Sequence, residues 1–520
     1  MAMITMIKKR DGRQVPFNIE KIANAIFKAA QTVGGRDFSE AMALADKVCQ
    51  RLSEEIIGRN PSVEEVQDMV EKVLVEEGHA KTAKAYILYR ADRTRAREMD
   101  STLMKIYEDL TFKSASDCDI KRENANIDGD TAMGTMLKYG SEGAKQFNEM
   151  YVLDPKHSQA HINGDIHIHD LDFLTLTTTC CQIDLLKLFH GGFSTGHGYL
   201  REPNDISSYA ALACIAIQSN QNDQHGGQSV PNFDYAMAEG VKKTFRRLYT
   251  NNLAKAVSFS LGLDDFTDVL AEMKKAAADI EQESGLYPRL RNNDDYKAKE
   301  WEKIAGKYGE NFSHLQDSAE KLAESETDRA TYQAMEALIH NLNTMNSRAG
   351  AQNPFSSINY GTDTSPEGRM VIKNVMLAEE HGLGNGETPI FPIHIFKVKE
   401  GINYNHGDPN YDLFKLAIRV SAKRMFPNFS FIDAPFNLQY YKPGDYHTEA
   451  AYMGCRTRVI GNVYDPTREI VTGRGNLSFT TINLPRLAIE AHGDLDKFYA
   501  SLDDMMNLVV DQLVFRFKIQ

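Results

Sequence analysis

Two stretches of this sequence hold side chains suited to unusual chemistry. In MGCRTRVIGN, Cys455 stands between Gly454 and Arg456, and the glycine lets the backbone come close to a ligand. A thiol is among the few side chains that give and take a hydrogen atom reversibly. Downstream, GRGNLSFTTINLPR presents Asn476 from a glycine-rich turn. Its amide both donates and accepts hydrogen bonds, and it adds no charge to a dry site. Upstream, TLTTTCCQIDLLKLF reads as a buried strand. Cys180 and Cys181 then point to opposite faces, so at most one looks into an enclosed interior. A third cluster, His161, His167, His169 and Asp170, has metal-ligand side chains. His167 and His169 are two apart on an expected strand and share a face. That spacing can ligate a metal, which makes a metal-dependent hydrolase the rival reading beside ordinary structural histidines.

The elements that must position these groups follow from periodicity. The stretch around Cys455 reads as a tight loop between strands, and the region after 350 alternates short β runs (389–397, 429–432, 458–463) with helical ones, which is α/β patterning. From 100 to about 260, helix mixes with β-rich runs at 164–169 and 174–185, whereas 263–348 is mostly helical apart from the polar stretch 291–295. The first 95 residues form a separate pattern. Runs 4–9 and 13–17 flank Asp11-Gly12, a strong hairpin signal. Asn18 is placed to cap a helix that Gly34-Gly35 ends. A second helix is expected over 38–56, a third opens on the capping box Ser62/Glu65, and a fourth begins near Ala80 and continues through the basic segment 90–97. The last run, 495–520, is helical and ends without a capping signal, as a shortened chain would.

Bulk properties exclude several classes. At 520 residues, with 42% hydrophobic and 25% charged residues, the chain predicts a small domain beside a large globular one. No uncharged apolar run reaches membrane-spanning length, and the charged N-terminus lacks a signal-peptide pattern, so no membrane association and a cytoplasmic setting are expected. A net charge of −13 argues against a general DNA binder. Six scattered cysteines without a CxxC pair fit neither a secreted disulfide framework nor a four-cysteine zinc site. Phosphates are expected at helix N-termini and backbone amides near Gly226-Gly227 and Ser356-Ser357.

KKRDGRQVPFNIEKIANAI, PSVEEVQDMVEKVL and AKAYILYR resemble the ATP-cone of ribonucleotide reductases, a β-hairpin with a four-helix bundle. The resemblance implies that Lys9, Arg10, Asn18, Lys21 and Gln67 surround ATP, which supports activity, or dATP, which stops it, with Mg accompanying the nucleotides. In order along 123–486, ENANIDGD, HINGDIHIHDLDFL, HGGQSVPNFDYA, AGAQNPFSSINYGTD, PIFPIHIFK and the stretches around Cys455 and Asn476 resemble the anaerobic, class III reductases.

That second resemblance implies a ten-stranded α/β barrel with an internal finger loop over 96–520, preceded by the small α+β cone at 1–95. It makes Cys455 the thiyl radical that abstracts the 3′ hydrogen of a ribonucleoside triphosphate. Cys180 becomes its partner, with Cys181 the alternative if the register shifts by one, and Asn476 holds the sugar hydroxyls. Formate is the implied reductant. A radical-SAM iron-sulfur activase, a glycyl radical and a homodimer that associates further with dATP are carried over with it. The family's zinc site and glycyl-radical segment have no counterpart in these 520 residues, so no metal ligand is expected within them. Two further readings, a nucleotide-sensing repressor and a pyruvate formate-lyase relative, leave either the last 425 or the first 95 residues without a role.

Overall fold

The computed structural model describes every residue except 1–3, 10–13, 100–101, 114–116, 118–129, 263–264, 310, 347–351, 455–456, 460–461, 463–464, 466 and 468–470. The chain divides into two compact units, Met1–Phe112 and Lys113–Gln520.

In the first unit, β1 (Met6–Lys8) and β2 (Gln14–Pro16) pair antiparallel with Ile7 opposite Val15. The strands are shorter than the expected runs, and the Asp11-Gly12 turn lies outside the described residues. The helices that follow are α1 (Ile19–Thr32), α2 (Phe38–Glu55), α3 (Val63–Glu76) and α4 (Ala80–Met99), with a further helix at Thr102–Phe112. The apolar stripes of α1 to α4 meet in one core containing Ile22, Ile26, Leu44, Val48, Leu52, Val70, Val73 and Tyr86. The capping box that opens α3 is present, with Glu65 N donating to Ser62 Oγ at 3.2 Å and Ser62 N to the Glu65 carboxylate at 2.8 Å. Asn18 occupies the N-cap position of α1, but its side chain makes no cap bond. The cap the sequence reading missed is Asp37, whose carboxylate accepts from Ser39 N at 2.8 Å ahead of α2. Lys8 N donates to Pro61 O at 2.9 Å, tying the hairpin to the residues that lead into α3.

The second unit is built on a six-stranded sheet. In chain order its relevant elements are β3 (Ile166–Ile168), β4 (Cys180–Gln182), α5 (Ile206–Asp223), β5 (Gln228–Val230), α6 (Phe233–Leu261), α7 (Phe312–Thr344), β6 (Ser356–Tyr360), α8 (Pro366–His381), β7 (Ile393–Val398), α9 (Tyr411–Arg424), β8 (Asn428–Phe431), β9 (Ala451–Tyr452), β10 (Arg458–Val459), β11 (Gly475–Asn476) and β12 (Thr480–Ile482). The sheet order is β8-β7-β6-β5-β4-β11. The first five strands run parallel and β11 runs antiparallel to β4. Every residue of β6 and β7 is buried, as expected where helices cover a parallel sheet. Helices α5 to α9 supply that cover through an apolar core that includes Phe245, Tyr249, Leu338, Ile358, Val375 and Phe396.

The expected strand at 174–185 is a correction. Only Cys180–Gln182 is extended; Leu171–Phe173 is a 3-10 turn and Leu185–Phe189 a short helix capped by Asp184. A run of apolar and threonine residues reads alike in either state. Among the described residues no helix is long and apolar enough to cross a membrane.

Candidate active site

The loop carrying Cys455 is a hairpin. β9 and β10 pair with Ala451 opposite Val459 and Tyr452 opposite Arg458, and Met453 N donates to Thr457 O at 3.0 Å. Cys455 itself lies outside the described residues, but both its flanks are placed. Met453 and Val459 pack against Cys180, forming a small buried cluster. Asn476 stands directly opposite Cys180 in the β11–β4 pair, and its Nδ2 donates to Thr457 Oγ1 at 3.2 Å. The hairpin flanks, Cys180 and Asn476 are therefore gathered at one place from three separate stretches of sequence.

The two neighbouring thiols have different surroundings. Cys180 is buried, and its Sγ accepts from Gly227 N at 3.2 Å. Cys181 meets Asn220 of α5, which donates to its Sγ at 3.0 Å, while the thiol donates to Gln228 Oε1 at 3.1 Å. Burial pushes the Cys181 thiol up to about 11, so it stays protonated.

Glycines let the backbones meet here. A Cβ on Gly454 would stand within 2.7 Å of Phe355 Cδ1, and one on Gly227 would stand 3.4 Å from Gly454 N. At Gly226, φ is +82° and an added Cβ would strike the Thr179 carbonyl. These contacts define the surroundings of the segments expected to meet phosphates. Gly226-Gly227 precedes β5, not a helix, and packs against the Cys180 strand and the hairpin. Ser356 and Ser357 lie inside β6, where their amides face sheet neighbours, and their buried hydroxyls have no partner among the described residues.

Several polar residues of the sheet interior were missed. Asn359 and Ser229 bond the backbone of Tyr452. Lys397 is fully buried and reaches Glu449 at 2.9 Å and Asn232 Oδ1 at 3.1 Å, while Thr362 Oγ1 donates to the same Glu449 carboxylate at 2.8 Å. Burial pushes the Glu449 carboxyl up and the Lys397 ammonium opposes that shift. Asp234 Oδ2 accepts from the amides of Gly361, Thr362 and Asp363 at 2.8, 3.1 and 3.1 Å. The available signal was the alternation in SSINYGTD, which puts Ser357 and Asn359 on one face.

The histidine cluster does not form a metal site. His161 Nδ1 accepts from Ile168 N at 3.3 Å, His169 Nε2 meets Thr481 Oγ1 at 2.7 Å, and Asp170 pairs with His225 at 3.2 Å. His167 is exposed on β3. Among the described residues no three His, Cys, Asp or Glu side chains converge to hold a metal. This overturns the hydrolase reading: the rings neighbour one another, with centroids 5.3 and 4.6 Å apart, but His161 and His169 each engage a nitrogen in a separate hydrogen bond.

In the first unit, Lys9 follows β1, Asn18 and Lys21 lie at the start of α1, and Gln67 is on the second turn of α3. Arg10 lies outside the described residues. The bond between Lys8 and Pro61 brings the end of β1 to the α3 entrance, so Lys9 and Gln67 belong to one end of the bundle.

Fold and site define an α/β protein with a thiol-and-amide centre, accompanied in the chain by a small hairpin-and-helix unit. Residues 123–520 match the family described as anaerobic ribonucleoside-triphosphate reductase, and residues 5–95 match the ATP cone domain. The chain belongs to the anaerobic ribonucleoside-triphosphate reductase family and carries an ATP cone at its N-terminal end. It is similar to the anaerobic ribonucleoside-triphosphate reductase of Salmonella typhimurium, with 28% identity over 517 residues, covering 99% of this chain and 62% of the relative. Its likeness to the Escherichia coli enzyme of the same description is 29% over 518 residues, again 99% and 62%. Among solved structures, the Thermotoga maritima anaerobic ribonucleotide reductase in complex with dATP and CTP aligns with a TM-score of 0.45 at 14% identity, covering 81% of this chain and 63% of that one. The chain thus spans about 62% of the length of the curated relatives it matches.

Proposed function

We propose that this chain reduces ribonucleoside triphosphates to 2′-deoxyribonucleoside triphosphates by thiyl-radical chemistry, and that its cone senses ATP and dATP. One observation carries the reading: Asn476 faces Cys180 across a strand pair while its amide reaches Thr457, two residues beyond Cys455.

In this reading the sulfur of Cys455 takes the 3′ hydrogen atom of the ribose, and the 2′ hydroxyl leaves as water. Cys180 supplies a hydrogen from the same side, and formate furnishes the two electrons of the overall reduction. Asn476 holds the sugar hydroxyls. Its Nδ2 has a second hydrogen and its Oδ1 can accept, so both functions are compatible with the Thr457 bond. Cys181, turned toward Asn220, keeps a structural role. A glycyl radical would supply the unpaired electron to the Cys455 thiol.

The remaining family properties belong to the same proposal. The six strands form part of a ten-stranded barrel occupying 96–520, and 1–95 is the regulatory cone, where Lys9, Arg10, Asn18, Lys21 and Gln67 bind the nucleotide with Mg. A zinc-bearing radical domain, a radical-SAM activase and a homodimer in the cytoplasm complete it. Deoxynucleotide formation by the intact, activated enzyme tests the reading. Cys455→Ala should abolish turnover while calorimetry shows ATP binding to the cone unchanged. Retained turnover in that variant would remove the assignment.

A further inference from the structure

The hairpin that carries Cys455 is a separate two-stranded piece: β9 and β10 pair with each other and, among the described residues, with no strand of the six-stranded sheet. Backbone ladders therefore do not fix its position, and side chains must. On the outgoing limb that link is Asn476 to Thr457. On the incoming limb it is Asn359, a fully buried residue of β6. Its Nδ2 donates to Tyr452 O at 2.9 Å, and its Oδ1 accepts from Tyr452 N at 2.9 Å. One side-chain amide thus makes the pair of bonds that a neighbouring strand would make. Ser229 of β5 donates to the same Tyr452 carbonyl at 2.7 Å and accepts from Asn359 Nδ2 at 3.2 Å.

We infer that Asn359, supported by Ser229, is a positioning residue that fixes the hairpin over the sheet and so sets the exposure and aim of its tip thiol. The inference rests on the reading of Cys455 as the reactive thiol. Asn359 acts through Tyr452, three residues before Cys455. Losing the Asn359 amide leaves the Tyr452 N–H without that partner and its carbonyl with Ser229 alone, which favours outward displacement of the limb over an undisturbed hairpin.

The test is thiol alkylation on the intact chain, with N-ethylmaleimide and peptide-resolved mass spectrometry reporting each cysteine separately. Asn359→Ala should raise the rate at Cys455 by about tenfold, the scale expected when a local opening loses one or two net hydrogen bonds. Rates at Cys49 and at Cys214, which is buried under α7, should stay as in the wild type. Asn359→Asp retains an acceptor for Tyr452 N and should fall between the two. Ser229→Ala, which removes one bond to the hairpin and leaves the amide pair, gives a smaller rise and serves if Asn359→Ala does not fold. An unchanged Cys455 rate in Asn359→Ala, or in Ser229→Ala where that variant stands in, overturns the inference. So does a parallel rise at Cys214, because that would mark general destabilisation. The readout needs no turnover, so it stands apart from the Cys455→Ala activity test.

Discussion

Asn476 lies directly across an antiparallel strand pair from Cys180, and its amide nitrogen is 3.2 Å from Thr457 Oγ1. Opposed residues of such a pair project on the same side of the sheet, so thiol and amide face the hairpin together. The substitution Asn476→Ala should lower turnover by at least about a hundredfold, on the scale of removing a preorganised hydrogen-bond donor. It should cost only about 1 kcal/mol of stability. Steady-state kinetics beside a denaturant titration separates the two effects.

The two adjacent thiols can be told apart. Cys180→Ser should abolish deoxynucleotide formation, because a hydroxyl does not release a hydrogen atom as a thiol does. Cys181→Ser, on the side of Asn220 and Gln228, should retain most of it. The opposite pattern would shift the register by one and make Cys181 the partner.

At Gly454 a methyl group would collide with the Phe355 ring. Gly454→Ala should therefore destabilise by about 1–3 kcal/mol, as overpacking does, and lower activity. Adding Phe355→Leu should recover part of the loss in Tm. Thermal melts of the single and double variants check this.

Glu379 of α8 and His394 of β7 lie 3.6 Å apart and almost fully buried, too far for a hydrogen bond. Burial raises the Glu379 carboxyl to about 8 and lowers His394 to about 3, so the pair is neutral at pH 7, not ionic. The signs oppose each other. A raised carboxyl costs stability as pH rises from its unfolded value of 4.5 to about 8. A depressed histidine costs stability as pH falls below 6.5. Between 4.5 and 6.5 the two slopes offset, leaving 6.5 to 8 as the window in which Glu379 acts alone. There the protein should lose roughly 2 kcal/mol with rising pH, and Glu379→Gln should flatten that slope in denaturant titrations at each pH.

The ion pair of Lys397 and Glu449 is shut away from water. Lys397→Met should cost about 3–5 kcal/mol because it strands a buried carboxylate, whereas Lys397→Met with Glu449→Leu should cost much less. Denaturation midpoints of the single and double variants decide it.

Local signals were readable in proportion to how local their physics is. The Ser62/Glu65 box, the apolar stripes of α1 to α4 and the hairpin strands depend on neighbours within one turn or one pair, and each appears in the structure. The 174–185 run misled because threonine and leucine fit a strand, a 3-10 turn or a short helix, and tertiary packing chose among them. At the site, Cys180, Asn476 and the flanks of Cys455 were all marked by their sequence surroundings. Asn359, Lys397 and Glu449 were not, because what makes them matter is a partner about ninety residues away or, for the ion pair, 52 residues away. The surroundings of Gly226-Gly227 were hidden for the same reason: the Thr179 carbonyl and the hairpin that pack against them come from distant stretches.

Asp234 gives the sheet an unusual electrostatic property. The carboxyl-terminal edge of an α/β sheet is where anions usually dock, and the three amides after β6 converge as such a cradle. Here the cradle is already filled by the protein's own carboxylate. Those three amides are therefore spent inside the protein, and the corner after β6 offers a second anion a like charge in place of free donors.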